Sequence, residues 1–159
     1  MSQHDRQRGA GCRKPLGWID LGRTDVERVN ACQRRWREGV LRGDLPEVLL
    51  LTEHDPCYTF GHRAQREDLR LPLDQLRARG FKVVETERGG RITYHGPGQL
   101  VCYPILDLFA RNLDVAGYVS RLEGVMIGLA RRFGVEATRR PGFPGVWCGR
   151  EKLGAVGIH

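Results

Sequence analysis

The longest patterned stretch of the chain runs from residue 115 to residue 133. Val115, Val119, Leu122, Met126, Leu129 and Phe133 recur at the spacing that places them on one side of a helix, and Gly134 supplies a stop. A helix with one apolar stripe must lay that stripe on another layer. The sequence offers short strand-length runs at residues 16–21, 47–52 (EVLLLT), 58–60, 81–86 (FKVVET), 100–106 (LVCYPIL), 145–148 and 152–158. Pro104 puts its run at a sheet edge or a bulge, because proline has no amide hydrogen to give to a ladder. The combination predicts an α/β (α+β) sandwich, with helices packed on a mixed, largely antiparallel sheet.

Two more helices are expected. Thr24-Asp25-Val26-Glu27 has the form of a capping box, with Thr24 as the cap and Glu27 reaching back to its amide. Val26, Val29, Trp36 and Val40 continue the pattern, and Gly43 ends it. Residues 73–79 read as a short helix closed by Gly80. With 159 residues, no internal repeat and no low-complexity linker, the expectation is a single domain over residues 16–159. A flexible basic tail is expected over residues 1–15; it has no apolar core, so it does not read as a secretory signal. Residues 152–159 read as a buried strand with no turn or polar tail after it, so the domain is expected to be incomplete at its C-terminus, with an uncovered edge and poor solubility.

The chain carries a net charge of +7 and a pI of about 9.6. Its arginines are scattered (Arg34, Arg35, Arg37, Arg131, Arg132, Arg139 and Arg140 among them), without a basic run interleaved with aromatics. A solvated arginine-rich surface is the first reading, an acidic protein partner the second and nucleic acid the third. No apolar run approaches the roughly 20 residues that span a bilayer, so a cytoplasmic location and no membrane partner are expected. Five cysteines, an odd count with no C-x-x-C spacing, argue against a disulfide framework and against a thiolate metal site.

Chemistry concentrates in Glu87-Arg88-Gly89-Gly90-Arg91-Ile92-Thr93-Tyr94-His95-Gly96-Pro97-Gly98-Gln99-Leu100. Glycines let a backbone approach a ligand closely and present its N–H groups, and the interleaved polar side chains could fix a substrate's orientation. The same residues would also make two hairpin turns carrying surface side chains. The spacing is not that of a phosphate-binding P-loop, and no helix follows.

The run RGGRITYHGPGQLVCYPILDL resembles the signature of the lipoyl(octanoyl) transferases, RGG-x-x-TYHGPGQL-x-x-YP-[IV]-LDL. In order along the chain, residues 53–61 (EHDPCYTFG) resemble that family's H-x-P-V-Y-T-x-G stretch, Gly145-Val146-Trp147 its GVW element, and residues 152–157 (KLGAVG) its K-[IL]-A-[AS]-[IL]-G element. The resemblance covers the chain from about residue 16 to its last residue.

It implies the fold of the biotin and lipoate protein ligases and a cytosolic acyltransferase. Such an enzyme moves an octanoyl group from acyl carrier protein to a lysine of the lipoyl domains of 2-oxoacid dehydrogenases and the glycine cleavage H protein. The implied route is ping-pong through a cysteine thioester, with no cofactor, metal or nucleotide, in protein lipoylation and lipoate biosynthesis. A monomer without nucleic acid is expected. Arg88, Gly89, Gly90, Arg91, Ile92, Thr93, Tyr94 and His95 align with the acyl-substrate loop, and Ala155, Val156 and Gly157 with a second binding segment. Lys152 aligns with the lysine beside the nucleophilic cysteine, where a cation favours thiolate over thiol. His95 is either a donor to the acyl carbonyl or a turn histidine bonded to backbone.

The chain departs from the family pattern twice. Gly154 stands where alanine is usual, which should loosen the strand slightly. The family's nucleophile lies in a Pro-Cys-Gly segment C-terminal to the KLGAVG element, and none of the five cysteines here sits in such a segment. Cys57 takes the place of the family's valine, Cys102 lies in a strand run, and Cys148 is the nearest substitute, four residues before Lys152. The alternatives are a catalytically inactive acyl- or carrier-protein-binding module and a relative of the ATP-dependent lipoate ligases.

Overall fold

A computed structural model describes residues 16–158. The tail expected over residues 1–15 lies outside the described residues. Three sheets of three strands each form the framework, and four of their six strand pairings are antiparallel. No helix among the described residues is long and apolar enough to cross a membrane.

The first sheet opens with a parallel unit: β1 (Gly17–Thr24), α1 (Val26–Arg42) and β2 (Val48–His54), with β6 (Val101–Ile105) antiparallel on the other edge of β2. Burial alternates strictly along β2, so one of its faces takes the helix. Val48, Leu50 and Ile105 form the buried cluster, covered by Ile19, Leu21, Cys32, Trp36, Val40 and Tyr103. Leu50 has no exposed surface, and burying a side chain of that size is worth about 1.5–3 kcal/mol. Pro104 falls on an edge strand, as its missing amide requires.

The start of α1 differs from expectation. Thr24 pairs with His54 as the last residue of β1, so Asp25 is the first residue able to turn. Its carboxylate accepts from the amides of Glu27 at 3.0 Å and Arg28 at 3.3 Å. Glu27 does not reach back; it takes an ion pair from Lys82 at 3.3 Å. Gly43 closes the helix in the left-handed conformation with φ 80°.

The second sheet repeats the plan. β3 (Cys57–Phe60) leads through a short 3-10 turn (Arg66–Asp68) and α2 (Leu73–Ala78) to a parallel partner, β4 (Lys82–Glu85). On its other side lies β5 (Ile92–His95), antiparallel. The glycine-rich stretch therefore holds a strand that glycine density concealed: Ile-Thr-Tyr is β-branched and aromatic, and glycines with positive φ flank it at Gly90 and Gly98. Lys82 joins this sheet to α1 through the carboxylates of Asp25 and Glu27.

In the third unit, α3 (Val115–Arg132) packs on β8 (Phe143–Cys148), which lies between β7 (Thr138–Arg140) and β9 (Glu151–Gly154). Two expectations are corrected. β9 ends at Gly154, and residues 155–158 leave the sheet instead of continuing as a buried strand. The apolar stripe on α3 is covered only at its middle: Val119, Leu122 and Met126 are half-buried beside the buried Tyr118, Glu123 and Ala130, whereas Val115, Leu129 and Phe133 are 56%, 47% and 78% exposed. The reason is where the sheet meets the helix, at its middle. Arg139 Nε and the Gly145 amide both donate to the Glu123 carboxylate, at 3.0 and 2.7 Å, and turn that flank inward.

Candidate functional site

The segment 88–91 is held by a clamp from the loop after β3. The amides of Gly61, His62 and Arg63 donate to the carbonyls of Arg91, Arg88 and Gly90, each at 3.0 Å. A Cβ on Gly61 would lie 2.6 Å from the Gly90 carbonyl oxygen and 2.9 Å from Arg88 Nη1, so only glycine permits this approach. From the other side, the Gly89 amide donates to the Ile158 carbonyl at 2.7 Å, and a Cβ on Gly157 would meet Arg88 Cδ at 3.1 Å. Arg88, Gly89, Gly90 and Gly157, drawn from the two aligned binding segments, therefore share one place.

Arg88 enters that place half-buried. Its Nη2 donates to the backbone oxygen and to Oγ1 of Thr59, both at 2.7 Å, and Nη1 donates to the Gly89 carbonyl at 3.0 Å. All these partners are neutral, and among the described residues no carboxylate pairs with it. Desolvation lowers its pKa, the nearby Tyr103 acting the other way.

β5 divides the remaining candidates between two faces. Thr93 and His95 share the face of their cross-strand partners Thr59 and Cys57. His95 Nδ1 lies 2.6 Å from Gln99 Oε1, and its Nε2 lies 3.1 Å from Thr59 Oγ1. Both ring nitrogens are thus engaged by side chains, neither by backbone, in a ring only 9% exposed. Burial lowers the His95 pKa; Gln99 opposes this, and His54 and Arg88 add to it.

Ile92 and Tyr94 point to the opposite face, where Tyr94 joins Tyr58 and Phe81 at ring distances of 5.3 and 6.2 Å. Arg91 pairs with Asp68 at 2.5 Å. Ala155 is exposed and Val156 half-buried.

Behind His95 stands a second buried histidine. The His54 ring meets that of His95 edge to face at 5.5 Å. Its Nδ1 lies 3.1 Å from the Thr24 carbonyl, which can only accept, so Nδ1 carries the hydrogen and Nε2 accepts from the Tyr103 hydroxyl at 2.8 Å. Burial pushes the Tyr103 hydroxyl up to about 12. His54, Thr59, Gln99 and Tyr103 were not singled out from sequence. Each lay inside a quoted motif, but no periodicity or charge pattern marks a polar side chain that will be buried.

Lys152 lies on β9. Its ammonium sits 5.4 Å from the Trp147 ring centroid, and Arg140 lies 5.2 Å from the same ring. Cys148 is exposed and opposes Glu151 in the sheet register. Cys57 is buried, and burial, then Asp25 and Asp55, push its thiol up to about 11. Burial also raises the Cys102 thiol. Neither supplies a thiolate near neutral pH. Two open concavities lie at the ends of α3, one beside Phe109 and Leu113 and one beside Ile127 and Val135. Both are removed in sequence from the glycine-rich segment.

The chain matches the model of the lipoyl protein ligase A/B catalytic domain over residues 26–159. It is 44% identical over 139 residues to an octanoyltransferase of Geobacter metallireducens, covering 87% of this chain and 62% of that protein. It is 46% identical over 143 residues to an octanoyltransferase of Desulfotalea psychrophila, covering 88% and 64%. It thus spans less than two thirds of the length of these relatives. Among solved structures, lipoate-protein ligase A bound with ATP superposes with a TM-score of 0.57 at 17% identity, covering 86% of this chain and 57% of that one. P. falciparum LipL1 in complex with lipoate gives 0.61 at 11% identity, covering 87% and 42%. At such identities the likeness is one of fold.

Proposed function

The chain belongs to the lipoyl protein ligase A/B catalytic family, and from that premise we propose that it forms the acyl-binding part of an octanoyltransferase of protein lipoylation. The observation that carries this reading is the hydrogen bond from the Gly89 amide to the Ile158 carbonyl at 2.7 Å. It joins the two segments expected to hold the acyl group, far apart in sequence, around a half-buried guanidinium with neutral partners.

Arg88 and the backbone of Gly89, Gly90 and Gly157 face the thioester end of an octanoyl chain. A guanidinium in partly desolvated surroundings favours the negative charge that grows on a carbonyl oxygen as a nucleophile adds. In the ping-pong route a cysteine thiolate adds to the thioester carbon of octanoyl carrier protein, and the carrier leaves as its thiolate, which takes a proton from water. The acceptor lysine amine then adds to the enzyme thioester, losing a proton as the thiolate departs. Lys152 takes the place of the cation that favours the thiolate. The 159 residues hold no Pro-Cys-Gly segment, so the nucleophile is not among the groups described. The setting is the cytoplasm, and the acceptors are lipoyl domains of 2-oxoacid dehydrogenases and the glycine cleavage H protein.

The excess of positive charge, +7, suits an acidic carrier protein, whose approach it would accelerate. Incubation of the polypeptide with octanoyl carrier protein and a lipoyl domain tests the reading. The expected result is saturable binding of the octanoyl group with little or no transfer. Absence of octanoyl binding overturns the proposal, and robust turnover overturns the assignment of the nucleophile, making Cys148→Ser the next variant. Turnover that requires ATP would favour the ligase reading.

A further inference from the structure

Resting on the acyl-binding reading, the hydrogen-bond pattern around β3 assigns a role to a residue outside the aligned binding loop. We infer that Thr59 is a positioning residue: its hydroxyl oxygen accepts from Arg88 Nη2 and its hydrogen goes to His95 Nε2, fixing the guanidinium against Gly89 and the imidazole in its Nδ1–H tautomer.

The directions follow from the donors available. A guanidinium only donates, so at the 2.7 Å contact the Thr59 oxygen must accept. The Gln99 amide nitrogen donates to the Tyr94 carbonyl at 3.1 Å, which turns its oxygen toward His95. His95 Nδ1 therefore carries a hydrogen, Nε2 is an acceptor, and the one Thr59 hydrogen completes the relay. The Arg88 contact with the Thr59 carbonyl adds a second anchor from the same residue. Thr59 is 2% exposed, so water does not substitute for either partner.

The groups facing His95 agree with this arrangement. Arg88 approaches from the glycine-rich loop, His54 from β2 with Tyr103 of β6 behind it, and Cys57 opposes it across β3. With a guanidinium on the far side of Thr59, a second hydrogen on Nε2 would leave the relay with donors at both ends and no acceptor for the threonine hydrogen. The site thus keeps one cation, Arg88, for the acyl carbonyl. His95 acts as a brace under β5 instead of a direct donor to substrate.

Long-range ¹H–¹⁵N correlation of the histidine rings, followed as a pH titration, reads this directly, alongside equilibrium binding of S-octanoyl-pantetheine to the same samples. In the unsubstituted chain His95 should show the Nδ1–H pattern and protonate only below pH 6.5, its ordinary value. Thr59→Val should raise the His95 pKa, since a hydrogen bond to the neutral ring is lost, and should weaken S-octanoyl-pantetheine by about tenfold. Thr59→Ser should restore both. Gln99→Leu should move the His95 pKa the opposite way. An Nε2–H pattern in the unsubstituted chain, or Thr59→Val rings identical to it, would overturn the role of Thr59. If Thr59→Val does not fold, the unsubstituted tautomer and the Gln99→Leu shift still decide. If the rings behave as expected while S-octanoyl-pantetheine binds nowhere, the relay stands and the acyl reading fails.

Discussion

The two ends of the molecule are held by different means. Around α1 and the first sheet, Val26, Val29, Val48 and Leu50 are all 3% exposed or less and form an apolar core, although Trp18 and Leu41 remain exposed. Around α3 and the third sheet, Val146 is fully buried, yet Val125, Leu129, Phe133, Phe143 and Leu153 all remain substantially exposed. There the union of helix and sheet depends on a polar strut, Glu123 with Arg139 and the Gly145 amide. A core closed by methyl groups tolerates a lost hydrogen bond. A union closed by one carboxylate does not, because its removal strands a buried amide.

The largest effect should come from the packed end. Leu50→Ala should cost about 2–5 kcal/mol, because a fully buried leucine leaves a cavity that the strands cannot refill; denaturant melts check the figure. Glu123→Ala should cost about 1–3 kcal/mol, with the loss concentrated in the third unit. Amide exchange would accelerate across β8 while β2 stays protected, and a uniform acceleration would erase the contrast between the two ends.

Acid should produce the next largest change, in the second sheet. Burial depresses the His95 pKa in the folded chain below the unfolded value of 6.5. The unfolded state therefore binds a proton that the folded state refuses, and stability present above pH 6.5 is lost as pH falls toward the folded pKa. Chemical denaturation from pH 7.5 to 5 should show this slope, and His95→Gln should flatten it. The smallest effect on stability should come from Phe133→Ser, within about 0.5 kcal/mol for so exposed a side chain. The same variant should reduce self-association in light scattering, because the exposed stripe on α3 loses its largest member.

At the packed end most local signals were read correctly, the exception being the cap of α1, where Thr24 is held in β1 by its pairing with His54 and Asp25 takes the role. Gly43 stops α1, the apolar run at β2 is a strand, and Pro104 lies at an edge. What was misread depends on contacts between distant segments. The stripe on α3 was a sound period covered only at its middle, by Val119, Leu122 and Met126, while Glu123 turned the neighbouring flank toward a partner strand 22 residues away. Gly154, expected to loosen β9, makes room for a neighbour: a Cβ there would lie 2.6 Å from Met126 Sδ. At the candidate site, Arg88, Gly89, Gly90 and Gly157 were visible as a motif and do meet. Tyr94 and Arg91 turn away from them toward Phe81 and Asp68. Thr59 and His54 were invisible because a buried polar side chain gains its meaning only from partners on other strands.

The central claim is that residues 88–90 and Gly157 form one acyl-binding place. Titrating the ¹⁵N-labelled chain with S-octanoyl-pantetheine and following the amides tests it most directly. The account predicts saturable shifts that move together at Gly89, Gly90 and Gly157. Shifts confined to the concavities beside Leu113 or Val135, with those three glycines unmoved, would contradict it.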